Sequence, residues 1–262
     1  PLSKKSSFMF ASRVSYLELI NIKKKINFNR GLERSYRGYT FFDINAKVNY
    51  DIKSNERVFL NLYFGGDLLR DLSQFYHKKE LNFAKPKQFS QSFSLKYIKE
   101  INNKVFFNSV LYYSGERRKD IVFEEFNEIL PADNRLVKST NFESKLNSSI
   151  NDVGLKLTAD FAPNSRNYFK VGVGYIHHIF NTNNSNVVTG SNLHYSPKYD
   201  TITSNSPLSF SSEWYQFLQH NFKFNRNFEI VFGMRNTIYT QKKEVLNRMD
   251  WSITTSYTLG NN

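Results

Sequence analysis

The sequence contains no cysteine, which excludes disulfide scaffolds, thiolate zinc sites and cysteine nucleophiles. It also contains no run of about 18 apolar residues, so no transmembrane helix is predicted. Glycine at 11 residues and proline at 6 are ordinary, which argues against low-complexity disorder. What the chain has in excess is aromatic residues, at 16% of its 262 positions.

The charge balance is strongly basic, with 36 Lys and Arg against 23 Asp and Glu and a formal net charge of +13. Nucleic acid is the first partner that such an excess suggests, but a nucleic-acid module collects its cations on one face. Here the cations are spread through predicted loops, as at residues 23–25 and 117–119, and singly inside strands. We therefore expect no nucleic-acid partner. Anionic lipid headgroups and lipopolysaccharide explain the sign equally well.

Apolar residues recur at every second position, which is the signature of a β-strand. In the segment 40–52 the even positions from Phe42 to Ile52 are apolar, and the odd positions from Asp43 to Asp51 are polar. A helix would mix these two sets on one surface, so the segment is predicted to be a strand with one apolar and one polar face. The alternation also explains the low mean hydropathy of −0.54.

The same period predicts about ten strands along the chain. They lie near residues 5–17, 39–51, 57–66, 89–99, 104–115, 140–162, 167–180, 212–224, 227–240 and 250–259. The strand near 104–115 is irregular, because its apolar residues fall on both faces. In the strand 140–162 the phase of the pattern changes near Asn151-Asp152, which predicts a β-bulge there.

Short turns and long polar loops alternate between these strands. The short turns are predicted at 51–56, 100–103, 163–166 and 225–227, and the long loops at 18–38, 67–88, 116–139 and 181–211, with a shorter one at 241–249. Outer-membrane barrels alternate in this way, with short periplasmic turns and longer extracellular loops. Aromatic residues flank the short turns, as an interfacial girdle requires: Tyr50, Phe59, Tyr97, Phe106, Phe161, Tyr168, Phe224 and Phe228.

The predicted fold class is therefore all-β, an antiparallel up-and-down transmembrane barrel wall. A soluble antiparallel sheet, which also has one apolar and one polar face, is the alternative. Four segments resemble consecutive barrel hairpins of TonB-dependent outer-membrane receptors of the Bacteroidetes type, and the resemblance covers nearly the whole chain. They are KKSSFMFASRVSYLELI (4–20), FFDINAKVNYDIKSNERVFLNLYFGGD (41–67), INDVGLKLTADFAPNSRNYFKVGVGYIHHIF (150–180) and WSITTSYTLGNN (251–262).

The resemblance implies a barrel of about 22 strands in the outer membrane of a Gram-negative bacterium. It also implies active import of a nutrient such as a siderophore, a vitamin or a glycan, with no cofactor. Residues 1–262 are expected to be a partial barrel domain, cut at both ends. The plug domain and the remaining strands are expected elsewhere in the full-length protein. The implied partners are outer-membrane lipid and lipopolysaccharide, the plug domain, TonB through the N-terminal region, and a surface lipoprotein as a candidate.

The polar positions of the strands supply the candidate site. We expect them to line the barrel lumen and to contact substrate or plug: Arg13, Asp43, Asn45, Lys47, Asn49, Lys156, Asp160 and Arg235. No metal site is expected at His177-His178, because neighbours in a strand point to opposite faces.

The alternative function is a self-contained ten-stranded outer-membrane barrel enzyme, either a protease or a lipase. A protease could recruit Asp67, Asp71 and His77, and a lipase could use His220, which falls on the predicted lipid face, with a serine partner. No spacing of these residues argues for catalysis. We therefore expect that the protein is not an enzyme.

Overall fold

The computed structural model describes residues 5–15, 32–75, 80–129, 136–192, 195–205 and 207–258. All regular elements in these ranges are β-strands, so the predicted all-β class is confirmed for the described chain. Within the same ranges there is no helix of a length and apolarity that would cross a membrane.

Twelve strands form one sheet in the described chain. Their bounds are β1 Ser6–Val14, β2 Leu32–Lys53, β3 Glu56–Phe75, β4 Glu80–Ala84, β5 Lys87–Asn102, β6 Val105–Ile129, β7 Leu136–Asn164, β8 Asn167–Asn192, β9 Tyr195–Asn205, β10 Ser209–Lys223, β11 Phe228–Gln241 and β12 Glu244–Tyr257.

Every pairing in the described sheet is antiparallel, and nine of the twelve pairings join strands that are consecutive along the chain; the exceptions are β3–β5, β4–β6 and β8–β10. The short strands β4 and β9 add only to the outer parts of β3, β6 and β8. Within the described chain, β1 pairs only with β2 and β12 only with β11. The sheet is therefore an open meander with two edges.

The register separates the side chains into two faces, because residues directly opposite each other in antiparallel strands point to the same side. We call one side the apolar face; it carries Ile44 and Leu155. The other side is the polar face; it carries Asp43 and Lys156. The assignment of residues to the two faces follows strand by strand from β1 to β8. Phe10 lies opposite Ala46, Ala46 lies opposite Leu62, and the series continues to Val153 opposite His177.

The sheet has no buried hydrophobic side chain among the described residues. Large apolar side chains of the apolar face are instead exposed, including Leu155 at 41%, Val173 at 50% and Trp251 at 73%. The buried polar side chains, Asp43 and Asp160 among them, lie on the polar face. A globular protein buries its apolar surface against a second layer, and the described chain has no such layer.

The apolar side chains form a band that starts beside the short turns. On β2 it extends from Ile52 to Phe42, and on β7 from Phe161 to Val153. Beyond this apolar band the strands continue as paired extensions, and in residues 181–186 of β8 the side chains of both faces are polar. The end with the short turns is called the turn end below, and the other is the extension end.

The long loops predicted at 67–88, 116–139 and 181–211 are wrong, because most of these residues are strands. In the same way β2 begins at Leu32, inside the loop predicted at 18–38, and the loop at 241–249 reduces to a turn at 242–243. In these extensions the period-two pattern is lost where the side chains of both faces are polar, as in residues 181–186. The backbone ladder, which needs no apolar residue, continues through them.

The bulge predicted near Asn151-Asp152 is also wrong, since pairing on both sides of β7 runs through these residues without a shift. The pattern changes there because Val153 is the last apolar residue of the band on β7. Asn151 and Ser149 follow on the same face. In the strand near 104–115, Phe107 lies on the apolar face and Phe106 on the polar face.

The short turns predicted at the turn end are confirmed, at residues 54–55, 103–104, 165–166 and 224–227. Beside the first of them, Lys99 Nζ lies 3.1 Å from Glu56 Oε1. The hydrogen bond from Lys99 lowers the pKa of the Glu56 carboxyl below its ordinary value. The aromatic girdle predicted here is only partly outward, because Phe59, Phe106 and Tyr168 lie on the polar face.

Candidate functional site

All eight candidate residues lie on the polar face, as the register of their strands requires. Three of them meet at the β1–β2 edge. Arg13 Nη2 lies 2.6 Å from Asp43 Oδ2, and Asn45 Nδ2 donates to Asp43 Oδ1 at 3.2 Å. Asp43 is 5% exposed, so its charge is held by these donors and not by water.

Two more candidates continue along β2 toward the turn end. Lys47 Nζ lies 5.6 Å from the ring centroid of Phe59, a cation–π distance. Asn49 Nδ2 donates to Ser7 Oγ at 3.1 Å. These contacts connect β2 to β3 and β1 on the polar face. They also occupy the Lys47 and Asn49 side chains, which a ligand would otherwise contact.

Asp160 on β7 is the centre of a second polar cluster. Its carboxylate accepts hydrogen bonds from Asn108 Nδ2 at 3.1 Å and from the Tyr168 hydroxyl. Lys170 Nζ lies 3.7 Å from the same carboxylate. The aspartate is 8% exposed, so strands β6, β7 and β8 are joined here by one buried anion.

Aromatic rings lie flat over glycines on the polar face between β6 and β10. A Cβ built on Gly154 would lie 2.2 Å from Tyr112 Cζ, and one built on Gly174 would lie 2.2 Å from Tyr215 Cζ. Each ring occupies the space that a side chain on the opposing strand would fill. Glycine is required at these positions for close approach and not for a special backbone angle.

The last two candidates border these rings. Lys156 Nζ lies 5.4 Å from the ring centroid of Phe217, and Arg235 Cζ lies 4.3 Å from that of Tyr215. Arg235 Nη2 also donates to Glu213 Oε1 at 2.9 Å. The cations therefore lie over aromatic rings on the polar face, and the negative face of each ring attracts the cation.

The structure thus brings the eight residues onto one face but into separate groups, on β1–β2, on β6–β8 and on β7–β11. Sequence reasoning missed the residues that organise them, among them Tyr168, Lys170, Tyr215 and Phe217. The signal that could have found the aromatic ones is Gly172 and Gly174, two glycines on the polar parity of an otherwise regular strand.

The histidines lie as their parity predicts. His177 Nδ1 is 3.1 Å from Ser212 Oγ on the apolar face, and His178 Nδ1 is 2.7 Å from Asp152 Oδ1 on the polar face. His220 is on the apolar face, stacked on Phe169 with ring centroids 4.2 Å apart.

The structure describes two of the three residues that the protease alternative would recruit. Asp67 and Asp71 lie on the polar face of β3, where Asp67 accepts a hydrogen bond from the Tyr39 hydroxyl at 3.0 Å. His77 lies outside the described residues. In the described ranges no group of three or more His, Asp or Glu side chains could hold a metal ion.

Comparison with protein-family models and with curated proteins gives no match for this chain.

The glycines under the rings yield one prediction. Gly174→Ala should lower the free energy of unfolding by about 1–2 kcal/mol, because the added methyl overlaps the Tyr215 ring. In a Tyr215→Ala background the same change should cost almost nothing. Urea unfolding of the four proteins of this double-mutant cycle measures the coupling, and an equal cost in both backgrounds would show that the ring does not set the requirement.

Proposed function

We propose that the chain forms part of the wall of an outer-membrane barrel. Its apolar face then contacts hydrocarbon, and its polar face contacts an aqueous lumen. The observation that carries this proposal is the exposed apolar face of a sheet with no buried hydrophobic side chain in the described chain. Soluble monomers rarely expose contiguous apolar patches beyond a few hundred Å². The apolar band extends over β2, β3, β5, β7, β8 and β11, so its area is far larger than that of isolated apolar residues on a surface.

The length of the apolar band supports the bilayer as its environment. From Phe42 to Ile52 the band covers about 33 Å along β2 at the rise of an extended strand. Strands of membrane barrels tilt by about 40°, which reduces this span to about 25 Å, the height of the apolar belt of such barrels. The extensions beyond the band then contact water on both faces, which agrees with the polar side chains of residues 181–186.

The two edges of the sheet set a condition on the proposal. Unpaired N–H and C=O groups cost several kcal/mol each in hydrocarbon. The outer edges of β1 and β12 must therefore pair in the membrane, either with each other or with further strands. A receptor barrel of about 22 strands satisfies this condition with strands on both sides.

Within this framework we propose the function of a TonB-dependent nutrient receptor, in which the polar face lines the path of a siderophore, vitamin or glycan. The buried anions Asp43 and Asp160 and the cation–aromatic pairs make this face a rigid polar wall. Such a wall suits contact with a plug domain. The extension end then faces the cell exterior, and the turn end faces the periplasm.

One row of the sheet bears on the enzyme alternative. Asp152, His178 and Ser211 lie directly opposite one another on β7, β8 and β10, the order of a Ser-His-Asp arrangement. However, the Ser211 hydroxyl is buried and has no hydrogen-bond partner among the described residues, so His178 does not activate it. Ser211 is 3% exposed and a substrate could not reach it. We keep the importer proposal.

The importer proposal is tested with single cysteines in the full-length protein. Because this chain has no cysteine, Ser92→Cys on the polar face and Leu95→Cys on the apolar face of β5 each add a unique thiol to it. A bulky water-soluble maleimide should modify Ser92→Cys and reduce energised uptake by a complemented deletion strain supplied with siderophores, cobalamin or glycans. Leu95→Cys should remain unmodified. Uptake that is independent of the gene for every nutrient supplied would contradict the receptor function.

A further inference from the structure

A group of cations lies on the apolar face, where the apolar band meets the extensions. Lys87 and Lys119 are directly opposite in the β5–β6 ladder, and Arg117 is directly opposite Phe89. Phe42 is opposite Gly66, which is opposite Phe89. We call these five residues, Phe42, Lys87, Phe89, Arg117 and Lys119, the basic–aromatic patch.

The three consecutive cations 117–119 are divided between the two faces of the sheet. Arg118 points to the polar face, where its Nε donates to Asp120 Oδ2 at 2.8 Å. Its neighbours Arg117 and Lys119 point to the apolar face. Neither they nor Lys87 have an ion-pair partner among the described residues. All three are exposed.

On the apolar face, the three rows of β2, β3, β5, β6 and β7 that begin at Thr40, Phe42 and Ile44 contain no carboxylate. Asp67 borders the patch, but its side chain belongs to the polar face and bonds to Tyr39. Two lysines directly opposite each other repel. The three cations therefore have no ion-pair partner among the described residues, and an anionic ligand could supply one.

The patch encloses a cleft that could receive such an anion. Its volume is about 380 Å³, and its wall consists of all five residues of the patch together with Thr40, Gly66, Asp67, Leu68 and Gln88. Arginine and lysine are the side chains that bind phosphate, arginine through two parallel hydrogen bonds. The surface of the cleft is mainly apolar and continues into the apolar band through its two phenylalanines, and Lys87, Arg117 and Lys119 supply its positive charge.

We propose that the basic–aromatic patch binds the phosphorylated headgroup of a membrane lipid, with the acyl chains lying along the apolar band below it. This inference rests on the proposed function, because it needs the apolar face to contact a bilayer. A nucleic acid or an acidic protein would match the three cations but not Phe42 and Phe89, which adjoin the hydrocarbon level. A lipid-borne phosphate matches both parts of the cleft.

The test uses the full-length protein in nanodiscs that contain either diphosphorylated lipid A or the same lipid without phosphates. Wild type should retain the phosphorylated lipid, as measured by native mass spectrometry. The triple variant Lys87→Gln, Arg117→Gln, Lys119→Gln should bind it about a hundredfold more weakly, since each cation near an anionic surface contributes about a factor of five. Arg118→Gln is the matched control and should bind as wild type does.

The remaining outcomes separate the possible failures. Equal retention by the triple variant, an equal loss in Arg118→Gln, or equal retention of the dephosphorylated lipid would overturn the lipid site while the barrel proposal stands. Effective competition by inorganic phosphate at the concentration of the lipid would show a free-anion site and overturn the lipid assignment. If the wild-type protein does not insert into nanodiscs at all, both proposals fail together.

Discussion

Leu95→Arg should lower the free energy of unfolding from a bilayer by about 2–4 kcal/mol. Leu95 lies within the apolar band of β5 and is 39% exposed in the sheet. In a membrane that exposed surface contacts hydrocarbon, and an arginine at the middle of a barrel's lipid face costs this amount. The measurement is urea unfolding of the full-length protein in phospholipid vesicles, followed by tryptophan fluorescence.

Ser92→Arg is the matched control, because it adds the same side chain to the same strand on the opposite face. The described structure gives the Ser92 side chain no hydrogen bond that the change would remove, and an arginine there would enter water. We expect a loss below about 1 kcal/mol. A sheet whose apolar face lies in water predicts no such difference, since replacing an exposed leucine by arginine in water is close to neutral. Equal or inverted losses would therefore contradict the membrane assignment.

Asp160→Ala should destabilise the protein by about 3 kcal/mol, because it removes the acceptor shared by Asn108, Tyr168 and Lys170. Buried donors that lose their partner cost about 1–3 kcal/mol each, and partial access of water to Lys170 reduces the sum. The same unfolding assay measures the change.

The control for this prediction is Asp250→Ala on the edge strand β12. Its carboxylate accepts a hydrogen bond from Arg248 Nε at 2.7 Å, but its side chain is 47% exposed. Exposed pairs of this kind contribute about 0–1 kcal/mol. If the two alanine variants lose the same stability, the Asp160 cluster does not join its three strands as described.

The parity of side chains was predictable from the sequence because it follows from local geometry. A residue such as Ile44 and its neighbour Asn45 must point to opposite sides of any strand. All eight candidate residues therefore lie on the predicted face, even though no single contact among them was foreseen. What they bind was not predictable, since parity assigns a face and not a partner.

The strand extensions were not predictable for a physical reason. In residues 181–186 of β8 the side chains of both faces are polar, so no apolar period appears along the chain. Pairing there rests on backbone hydrogen bonds, which every residue except proline can make. The same reasoning explains the wrong bulge at Asn151-Asp152, where the chain leaves the apolar band.

The contacts on the polar face depend on register across strands, which the sequence does not display. Tyr215 lies over Gly174 only because β10 pairs with β8 in one of several possible registers. A slip of one residue would move every ring to the other face. The aromatic excess that stands out in the composition therefore has two uses, an outward band and a set of inward rings over glycine, and only the first was predicted.

The most direct test of the account is the environment of spin labels on the two faces of the full-length protein in phospholipid vesicles. Single cysteines at Ile44, Leu60 and Val171 should give labels that are accessible to oxygen and shielded from a water-soluble nickel reagent. Labels at Asn45 and Lys47 should show the reverse. Nickel access at the first three positions, together with protection at Asn45 and Lys47, would contradict the assignment of the apolar face to hydrocarbon and remove the basis of the importer proposal.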